Sequence, residues 1–515
     1  MNKPGAPTTL DRYTQLGELA ENVRQILQRT LGLLGVLLGA TVTYLALHGK
    51  PGAAALGLIS IGTLVVFWVW RSRGIGLPLL PVLALQHLVA YGLPIAIGHS
   101  VVQDYPSEFL FSAGIEVFVF CCVLAGAWKF GMQIFRPAPA VSYALQGLNR
   151  EGTGKLRRWG FSLIFVSTVY QLLQAMNGLG LVFALLPSGT ASLLVALMSA
   201  AAACGFFIVA MFVGGKELSS GSRGIFWFLM VLNCLMGAAA YLLSPATTIV
   251  AAVLIGLFWA RGRIPWQYLM VVLSILAFLN LGKYTMRDRY WHKTENDPMP
   301  TITLFQMPAS YAEWIEVSYQ AVTGKEEKNP GSTIEKSTKK GVSLFERINN
   351  LQNLLYVINA TETWKIAPLG GKTYSLIPPL LLPRIFWPDK PRTHAGQVML
   401  NVHFGRQALE STFETYIAWG LLAEAYGNFG SFWGALFLGV VLGIFCAWLE
   451  NATARKLLLS LEGFIAFTIL LGIASSYEMV ASILVTSMFQ AIVPLIIMSI
   501  PFVRRMSITR PAPAA

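Results

Sequence analysis

Residues 53–70 read AAALGLISIGTLVVFWVW, a run without a charged side chain, and two arginines, Arg71 and Arg73, follow almost at once. This length and apolarity are typical of a transmembrane helix, because about 20 helical residues cross the ~30 Å hydrocarbon core of a bilayer. Comparable runs recur along the chain, which has 515 residues, 55% of them hydrophobic and 12% charged. A soluble domain is about a quarter charged. The sequence therefore predicts an all-α, multi-spanning membrane protein.

Hydropathy places about twelve such spans along the chain. The predicted spans are 31–48, 53–70, 75–98, 109–128, 160–177, 191–213, 224–242, 244–260, 265–282, 431–449, 458–476 and 479–502.

The positive charges between these spans indicate the orientation of the chain. If the N-terminus is cytoplasmic, the basic loops also face the cytoplasm, as the positive-inside rule expects. These loops carry Arg71, Arg73, Lys129, Arg136, Arg150, Lys155, Arg157, Arg158, Lys216, Arg223, Arg261, Arg263, Arg455, Lys456, Arg504, Arg505 and Arg510. The short connections on the other side contain one basic residue, Lys50. The net charge of +13 is thereby explained by topology, and no nucleic-acid partner is predicted.

This topology divides the chain into five parts. They are a cytoplasmic N-terminal segment (1–30), a membrane bundle of spans one to nine (31–282), a large outer loop (283–430), spans ten to twelve (431–502) and a cytoplasmic tail (503–515).

The outer loop is not uniform in composition. Residues 311–322 and 344–358 have apolar side chains at helical spacing and predict amphipathic helices on the membrane surface or packed on the bundle. Residues 322–342 are charged and lack aromatic side chains, which predicts a flexible loop. The prolines of 368–391, PLGGKTYSLIPPLLLPRIFWPDKP, predict an irregular segment over the mouth of the bundle.

Neither the cysteines nor the common catalytic motifs predict a metal site or a catalytic site. The five cysteines fall within predicted spans, so no disulfide and no Cys-based metal site is expected. No Walker loop, H-E-x-x-H helix or G-x-S-x-G elbow is present. Neither a metal nor a cofactor is predicted.

Cations gather instead in residues 384–406, RIFWPDKPRTHAGQVMLNVHFGR. Arginine binds phosphate oxygens through two parallel hydrogen bonds, so the cations of this stretch predict a diphosphate clamp. They are Arg384, Lys390, Arg392 and Arg406. The alternative is that they pair with lipid headgroups or with the carboxylates of Asp389 and Glu410. His394 and His403 in the same stretch are suitable proton acceptors near neutral pH.

A carboxylate follows in residues 412–434, TFETYIAWGLLAEAYGNFGSFWG. Glu424 lies close to the tenth span, where an ionisable side chain is costly and tends to be functional. The glycines at 420, 427 and 430 predict a break or a re-entrant piece of chain. A plain helix start at the membrane interface is the alternative.

Two of these stretches resemble a known family. The sequence LIPPLLLPRIFWPDKP (376–391) resembles the pattern Pro-Arg-x-x-Trp-Pro-x-Lys-Pro, and EAYGNFG (424–430) resembles Gly/Glu-x-x-x-Asn-Phe-Gly, of the oligosaccharide repeat-unit (O-antigen) polymerases and the related O-antigen ligases. The twelve spans and the large loop between the ninth and tenth are similar as well. The matching positions are Arg384, Trp387, Pro388, Lys390, Pro391, Glu424, Asn428, Phe429 and Gly430.

The resemblance implies a fold similar to that of the GT-C glycosyltransferases and an enzyme of the bacterial inner membrane. Such enzymes transfer a growing glycan from undecaprenyl diphosphate to another lipid-linked repeat unit, without a metal, beside a flippase and a chain-length regulator. The predicted clamp would then stabilise the departing diphosphate. Glu424 or His403, with His394 behind them, would accept the proton of the acceptor hydroxyl. The side chains predicted to contact sugar are Trp387, Tyr426 and Asn428.

Three other functions remain open from the sequence. The first is ligation, which uses the same donor and a different acceptor. The second is a glycosyltransferase that uses a polyprenyl monophosphate sugar, with Asp104 or Glu108 as its base. The third is a flippase or transporter of lipid-linked glycan, although that class more often has repeated halves and short outer loops.

Overall fold

The structure is a computed structural model and describes residues 15–145, 153–176, 178–180, 190–261, 265–291, 302–323, 349–382, 386–387, 390–413, 417–474, 476 and 478–507. The described chain is almost entirely helical. Its α-helices are α1 (Leu16–Leu47), α2 (Ala53–Arg73), α3 (Leu79–His87), α4 (Leu93–Ala96), α5 (Ser107–Ile134), α6 (Thr153–Ala175), α7 (Thr190–Gly214), α8 (Ser220–Ala238), α9 (Leu243–Arg261), α10 (Trp266–Tyr290), α11 (Met307–Thr323), α12 (Leu351–Glu362), α13 (Ile377–Leu381), α14 (Ala395–His403), α15 (Leu421–Phe429), α16 (Trp433–Thr453), α17 (Leu461–Ala474) and α18 (Ala481–Ser499). A π-helical turn (Leu88–Gly92) joins α3 to α4, and two short strands, β1 (Val141–Leu145) and β2 (Val503–Ser507), pair with each other.

Nine helices of the described chain are long and apolar enough to cross a membrane. They are Leu16–Leu47, Ala53–Arg73, Leu79–Ala96, Ser107–Ile134, Leu193–Gly214, Ser220–Ala238, Trp266–Lys283, Trp433–Thr453 and Ala481–Ser499. Two shorter apolar helices cover Leu243–Phe258 and Leu461–Ala474. The prediction of a helical, multi-pass membrane protein is therefore confirmed, while the count of twelve spans stays a prediction.

The chain forms two compact units. The larger unit contains residues 15–144, 349–493 and 503–507, and the smaller contains residues 145–341 and 494–502, as far as these are described. All described residues of the two family-like stretches belong to the larger unit.

Three helices, α2, α5 and α16, form the centre of the larger unit. Close approach of α16 to α5 requires small residues, as is common between membrane helices. A Cβ on Gly443 would lie 2.7 Å from the carbonyl oxygen of Leu124, and one on Gly439 would lie 3.1 Å from that of Phe120. The two glycines thus let the backbones of α16 and α5 come into contact.

A buried carboxylate, Glu450 of α16, ties the same three helices together. Its oxygens accept hydrogen bonds from the indole N–H groups of Trp70 (3.3 Å) and Trp128 (2.9 Å). They also accept from the backbone N–H groups of Ile75 (2.7 Å) and Gly76 (3.1 Å). Four donors replace the water that a buried carboxylate loses, so Glu450 fixes the end of α2 against α5 and α16.

Helix α1 begins earlier than the predicted span of 31–48. Its first turn is held by backbone bonds from Leu16 N–H to the Lys456 carbonyl and from Gly17 N–H to the Ala454 carbonyl, both 3.0 Å. The polar residues within 16–30 are therefore part of the same helix as the predicted first span. The pairing of β1 with β2 was likewise not predicted.

The amphipathic helix α12 packs on the bundle of the larger unit. The residue four positions after Ala90 is Pro94, which has no N–H, and the Asn350 backbone N–H donates to the Ala90 carbonyl at 3.0 Å. The Asn350 side-chain amide also donates to the Tyr91 hydroxyl at 3.0 Å. The start of α12 is thereby anchored on the third predicted span. Most of the loop predicted at 322–342 lies outside the described residues.

In the smaller unit, the amphipathic helix α11 packs on α10. The indole N–H of Trp314 donates to the Leu279 carbonyl at 2.8 Å, and the Tyr311 hydroxyl donates to the Leu235 carbonyl of α8 at 2.6 Å. Both helices predicted in the outer loop are thus present and packed against membrane helices within their own units.

Candidate functional site

The Gly/Pro-rich segment (368–391) meets the family-like stretch 424–430 in a hydrogen-bonded junction, through residues that directly precede the other family-like stretch (376–391). The Thr373 hydroxyl donates to Glu424 Oε1 at 2.7 Å, and the side-chain amide of Asn428 donates to Thr373 Oγ1 at 2.8 Å. Two backbone bonds run beside them, from Leu369 N–H to the Gly427 carbonyl (3.0 Å) and from Gly370 N–H to the Asn428 carbonyl (2.8 Å). We call these contacts the junction. It fixes the Gly/Pro-rich segment onto helix α15.

Glu424 is the buried centre of the junction. Its side chain is 0% exposed, and its second oxygen accepts a hydrogen bond of 2.6 Å from the backbone N–H of Ala481, the first residue of α18. Burial raises the pKa of the Glu424 carboxyl to about 7, although the hydrogen bonds from Ala481 and Thr373 act to lower it. A carboxyl of this kind can exchange its proton near neutral pH.

Helix α15 is a separate nine-residue helix between two glycines with positive φ, Gly420 (+86°) and Gly430 (+79°). The break predicted from the glycines is thus observed at both ends of α15. Phe432, which follows, also has a positive φ of +65°, a strained value for a bulky side chain. The backbone N–H of Phe432 donates a hydrogen bond to the Glu116 carboxylate of α5 at 2.6 Å, and the Ser431 hydroxyl donates to the same carboxylate at 2.8 Å. These bonds hold the turn between α15 and α16.

Two predicted sugar contacts lie on α15 and are buried. Asn428 is 1% exposed, and its amide is engaged by Thr373 and by the Glu424 carbonyl (2.8 Å). Tyr426 is 2% exposed and donates to Glu362 at 3.3 Å. Burial raises the pKa of the Tyr426 hydroxyl to about 12. In this conformation both side chains hold α15 in place and are turned away from solvent.

Arg406 lies in an aromatic box. Its guanidinium carbon is 5.0 Å from the ring centre of Tyr356 and 5.8 Å from that of Trp419, which are cation–π distances. One of its N–H groups donates to the Ala418 carbonyl at 3.1 Å. Burial lowers the pKa of Arg406, but an arginine remains charged. No ion pair of Arg406 occurs in the described part of the chain.

The loop that carries the alternative base, Asp104, is close to this box. The charges of Arg406 and Asp104 both act on the Tyr105 hydroxyl, whose pKa is raised mainly by burial and lowered by the arginine. Asp104 and Glu108 are exposed.

The other described cations of the predicted clamp, Lys390 and Arg392, precede helix α14. The Lys390 ammonium donates to the carbonyls of Leu380 (2.8 Å) and Leu382 (2.6 Å), where it closes the end of α13. Arg392 is exposed, and Trp387 is 41% exposed. Arg384 lies outside the described residues.

The two predicted histidines lie at opposite ends of α14. His394 precedes the helix with its Nδ1 3.3 Å from the Gln397 amide oxygen, and burial lowers its pKa. His403 ends the helix and is exposed, with Nε2 2.8 Å from the Ala367 carbonyl. In the neutral ring this carbonyl makes Nε2 the protonated nitrogen and leaves Nδ1 as a proton acceptor.

The described clamp cations and the predicted base His403 are therefore divided into two groups. Lys390 and Arg392 lie before α14, whereas His403 and Arg406 lie at its far end, roughly 12 Å along the axis at 1.5 Å per residue. Helix α14 lies between the two groups. Phe404, which directly follows it, contacts Gly427 of α15. The far end of α14, with His403, therefore lies beside the junction, to which Glu424 and Asn428 themselves belong.

Two residues of this region, Thr373 and Glu116, and one of the bundle, Glu450, were missed from sequence. Thr373 carries no motif signal, and its role follows only from the contact with Glu424. Glu116 and Glu450 could have been found, because each is a carboxylate within or next to an apolar run. Among the described residues no group of three or more His, Cys, Asp or Glu side chains could hold a metal ion.

No protein family, no curated protein and no solved structure matches this chain.

Proposed function

We propose that this protein polymerises undecaprenyl-diphosphate-linked oligosaccharide repeat units by glycosyl transfer at the outer face of the bacterial inner membrane, within a twelve-span, GT-C-like fold. The observation that supports it best is the junction, because it fixes the segment leading into the first polymerase-like stretch (376–391) onto the second (424–430). Thr373, three residues before the first stretch, is hydrogen-bonded to Glu424, which is 51 residues away in sequence.

In this proposal the acceptor hydroxyl attacks the anomeric carbon of the donor glycan. The bond between that carbon and the diphosphate oxygen breaks, and undecaprenyl diphosphate leaves with the bonding electrons. Arg406 is the best placed of the described cations to stabilise this charge, since the aromatic box fixes its guanidinium and no carboxylate of the described residues pairs with it. Lys390 and Arg392 would extend the cationic surface toward the start of α14, and Arg384 is the fourth cation proposed for the clamp.

The proton of the acceptor goes to a base. His403 is exposed beside Arg406 and has a free Nδ1 in its neutral form, so it can meet a bound sugar directly. Glu424 is buried and must be uncovered before it can accept a proton from substrate. Exposed Trp387 offers a face for sugar stacking.

The proposal is tested by glycan length in a strain in which this gene is the only source of the activity. We expect Arg406→Ala to shorten the glycans and to accumulate lipid-linked single units, with elongation reduced by about 10²-fold or more, the usual cost of losing one such donor. Arg455→Ala, an exposed arginine on a predicted cytoplasmic turn, is the matched control and should leave the lengths unchanged. Equal lengths in both variants at equal expression would refute this role of Arg406.

A further inference from the structure

Residues 370–376, which we call the lid, cover Glu424. Thr373 of the lid donates to the Glu424 carboxylate, and the Gly370 backbone N–H donates to the Asn428 carbonyl of α15. The ring of Tyr374 packs on Phe429 at 5.8 Å between centroids. With the lid in this position Glu424 has no exposed surface.

The lid begins at two residues that can act as a hinge. Gly370 and Gly371 have φ values of +62° and +88°, a region that glycine enters at little cost and other residues avoid. The backbone can therefore rotate here without strain.

The closed lid leaves two buried hydroxyls unsatisfied. Tyr374 Oη and Ser482 Oγ have no hydrogen-bond partner in the described chain, and Ser482 follows the residue whose N–H binds Glu424. A buried unpaired hydroxyl costs free energy that contact with water would recover. Water reaching these groups on opening would thus partly offset the contacts that the lid loses.

The lid also contacts helix α14, which ends at His403, three residues before Arg406. A Cβ on Gly396, near the start of α14, would lie 3.0 Å from Ser482 Oγ and 3.7 Å from Thr373 Cβ. Movement of the lid would therefore reach α14 and both candidate functional residues at its far end.

We propose that the lid is a proton-controlled gate, which is closed over Glu424 when this carboxyl is protonated and opens when the carboxyl ionises. Its regulatory meaning depends on the proposed function, but the gate itself does not.

The charge balance around Glu424 supports this direction. The charged and titratable groups of the elements around Glu424 are Tyr374 and exposed Lys372 of the lid, His394 before α14 and Glu478 before α18. In the described chain, desolvation of the Glu424 carboxyl outweighs the hydrogen bonds from Ala481 and Thr373, which favour its ionised form. In the closed state, burial raises the pKa of the Glu424 carboxyl from 4.5 to about 7. The closed state is therefore most stable below pH 4.5, and it loses this stability as the pH rises to about 7.

Hydrogen exchange in peptides covering 368–376, measured on the full chain in lipid nanodiscs and corrected for intrinsic rates, tests the gate. We expect the opening equilibrium to rise on the order of 50-fold from pH 5 to pH 8. Glu424→Gln should remove this dependence and keep the lid closed, whereas Glu316→Gln, an exposed glutamate of α11, should retain it. Protection that is unchanged with pH in the wild type, or that still changes with pH in Glu424→Gln, would overturn the proposal.

Thr373→Val provides a second test if Glu424→Gln does not fold. The substitution removes a hydrogen-bond donor to the ionised Glu424 carboxylate. Protection of the lid amides from hydrogen exchange should therefore fall more at pH 8 than at pH 5. Protection equal to wild type at both values would also overturn the gate. Because no substrate is present, these results are independent of whether the protein polymerises glycans.

Discussion

At the scale of single residues, three buried glutamates organise the larger unit. Glu424 joins the lid, α15 and α18, while Glu116 holds the strained turn before α16. Glu450 gathers α2, α5 and α16. Each carboxylate accepts hydrogen bonds from backbone N–H groups near a helix end or turn, where donors are otherwise unpaired.

Replacement of Glu450 should destabilise the protein strongly. Glu450→Ala leaves the indole N–H groups of Trp70 and Trp128 and two backbone N–H groups without their acceptor. A buried unpaired donor costs about 1–3 kcal/mol, so we expect a loss of about 3 kcal/mol or more. Thermal unfolding in nanodiscs measures the loss, with Glu316→Ala as an exposed control. An unfolding midpoint equal to that of the control would show that these hydrogen bonds contribute little.

Single-residue features were predicted correctly where the residue type itself determines them. They were missed where they depend on contacts between residues that are distant in sequence. The break around α15 follows from Gly420 and Gly430, because glycine supports the positive φ found there. The partner of Glu424 is a threonine 51 residues away, and no local pattern specifies such a pair. The burial of Tyr426 and Asn428 was missed because both residue types also occur at exposed sugar sites.

At the scale of elements, helix identity was easier to predict than helix limits. Each predicted span overlaps a helix of the described chain, since long apolar runs are unambiguous. The start of α1 was misplaced by about half its length, because tertiary contacts at Leu16 and Gly17 stabilise a polar stretch as helix. The β1–β2 pairing joins segments more than 350 residues apart, which periodicity cannot reveal.

Contact between α16 and α5 should depend on a glycine. Gly443→Ala places a Cβ 2.7 Å from the Leu124 carbonyl oxygen, and such overpacking costs about 1–3 kcal/mol. Gly126→Ala is the matched control, since a Cβ there meets no atom within 4 Å and alanine favours helix. We expect Gly443→Ala to lower the unfolding midpoint and Gly126→Ala to keep or raise it. The reverse order would contradict the packing described.

At the scale of the whole molecule, composition predicted the class of protein reliably. Apolar runs predict membrane helices, and nine described helices satisfy the length and composition for a span. Orientation still depends on the distribution of Lys and Arg, a statistical bias that a direct measurement can replace.

Single cysteines would report the sides of the membrane. Ser375→Cys in the lid and Arg455→Cys after α16 are both at exposed positions. A maleimide that cannot cross membranes should label Ser375→Cys in cells with a permeable outer membrane, and Arg455→Cys only after lysis. The wild type gives the background from the native cysteines, of which Cys121 and Cys446 are buried and Cys122, Cys204 and Cys234 are partly buried. Labelling of Arg455→Cys before lysis would reverse the topology.

The most direct measurement uses the purified protein in nanodiscs with a single undecaprenyl-diphosphate-linked repeat unit as both donor and acceptor. Mass analysis of the lipid-linked products should show a ladder of two, three and more repeats with the wild type. The ladder should be lost with Arg406→Ala and greatly reduced with His403→Ala. Movement of the lipid-linked unit across liposomes without any lengthening would contradict the proposed polymerase and identify a transporter instead.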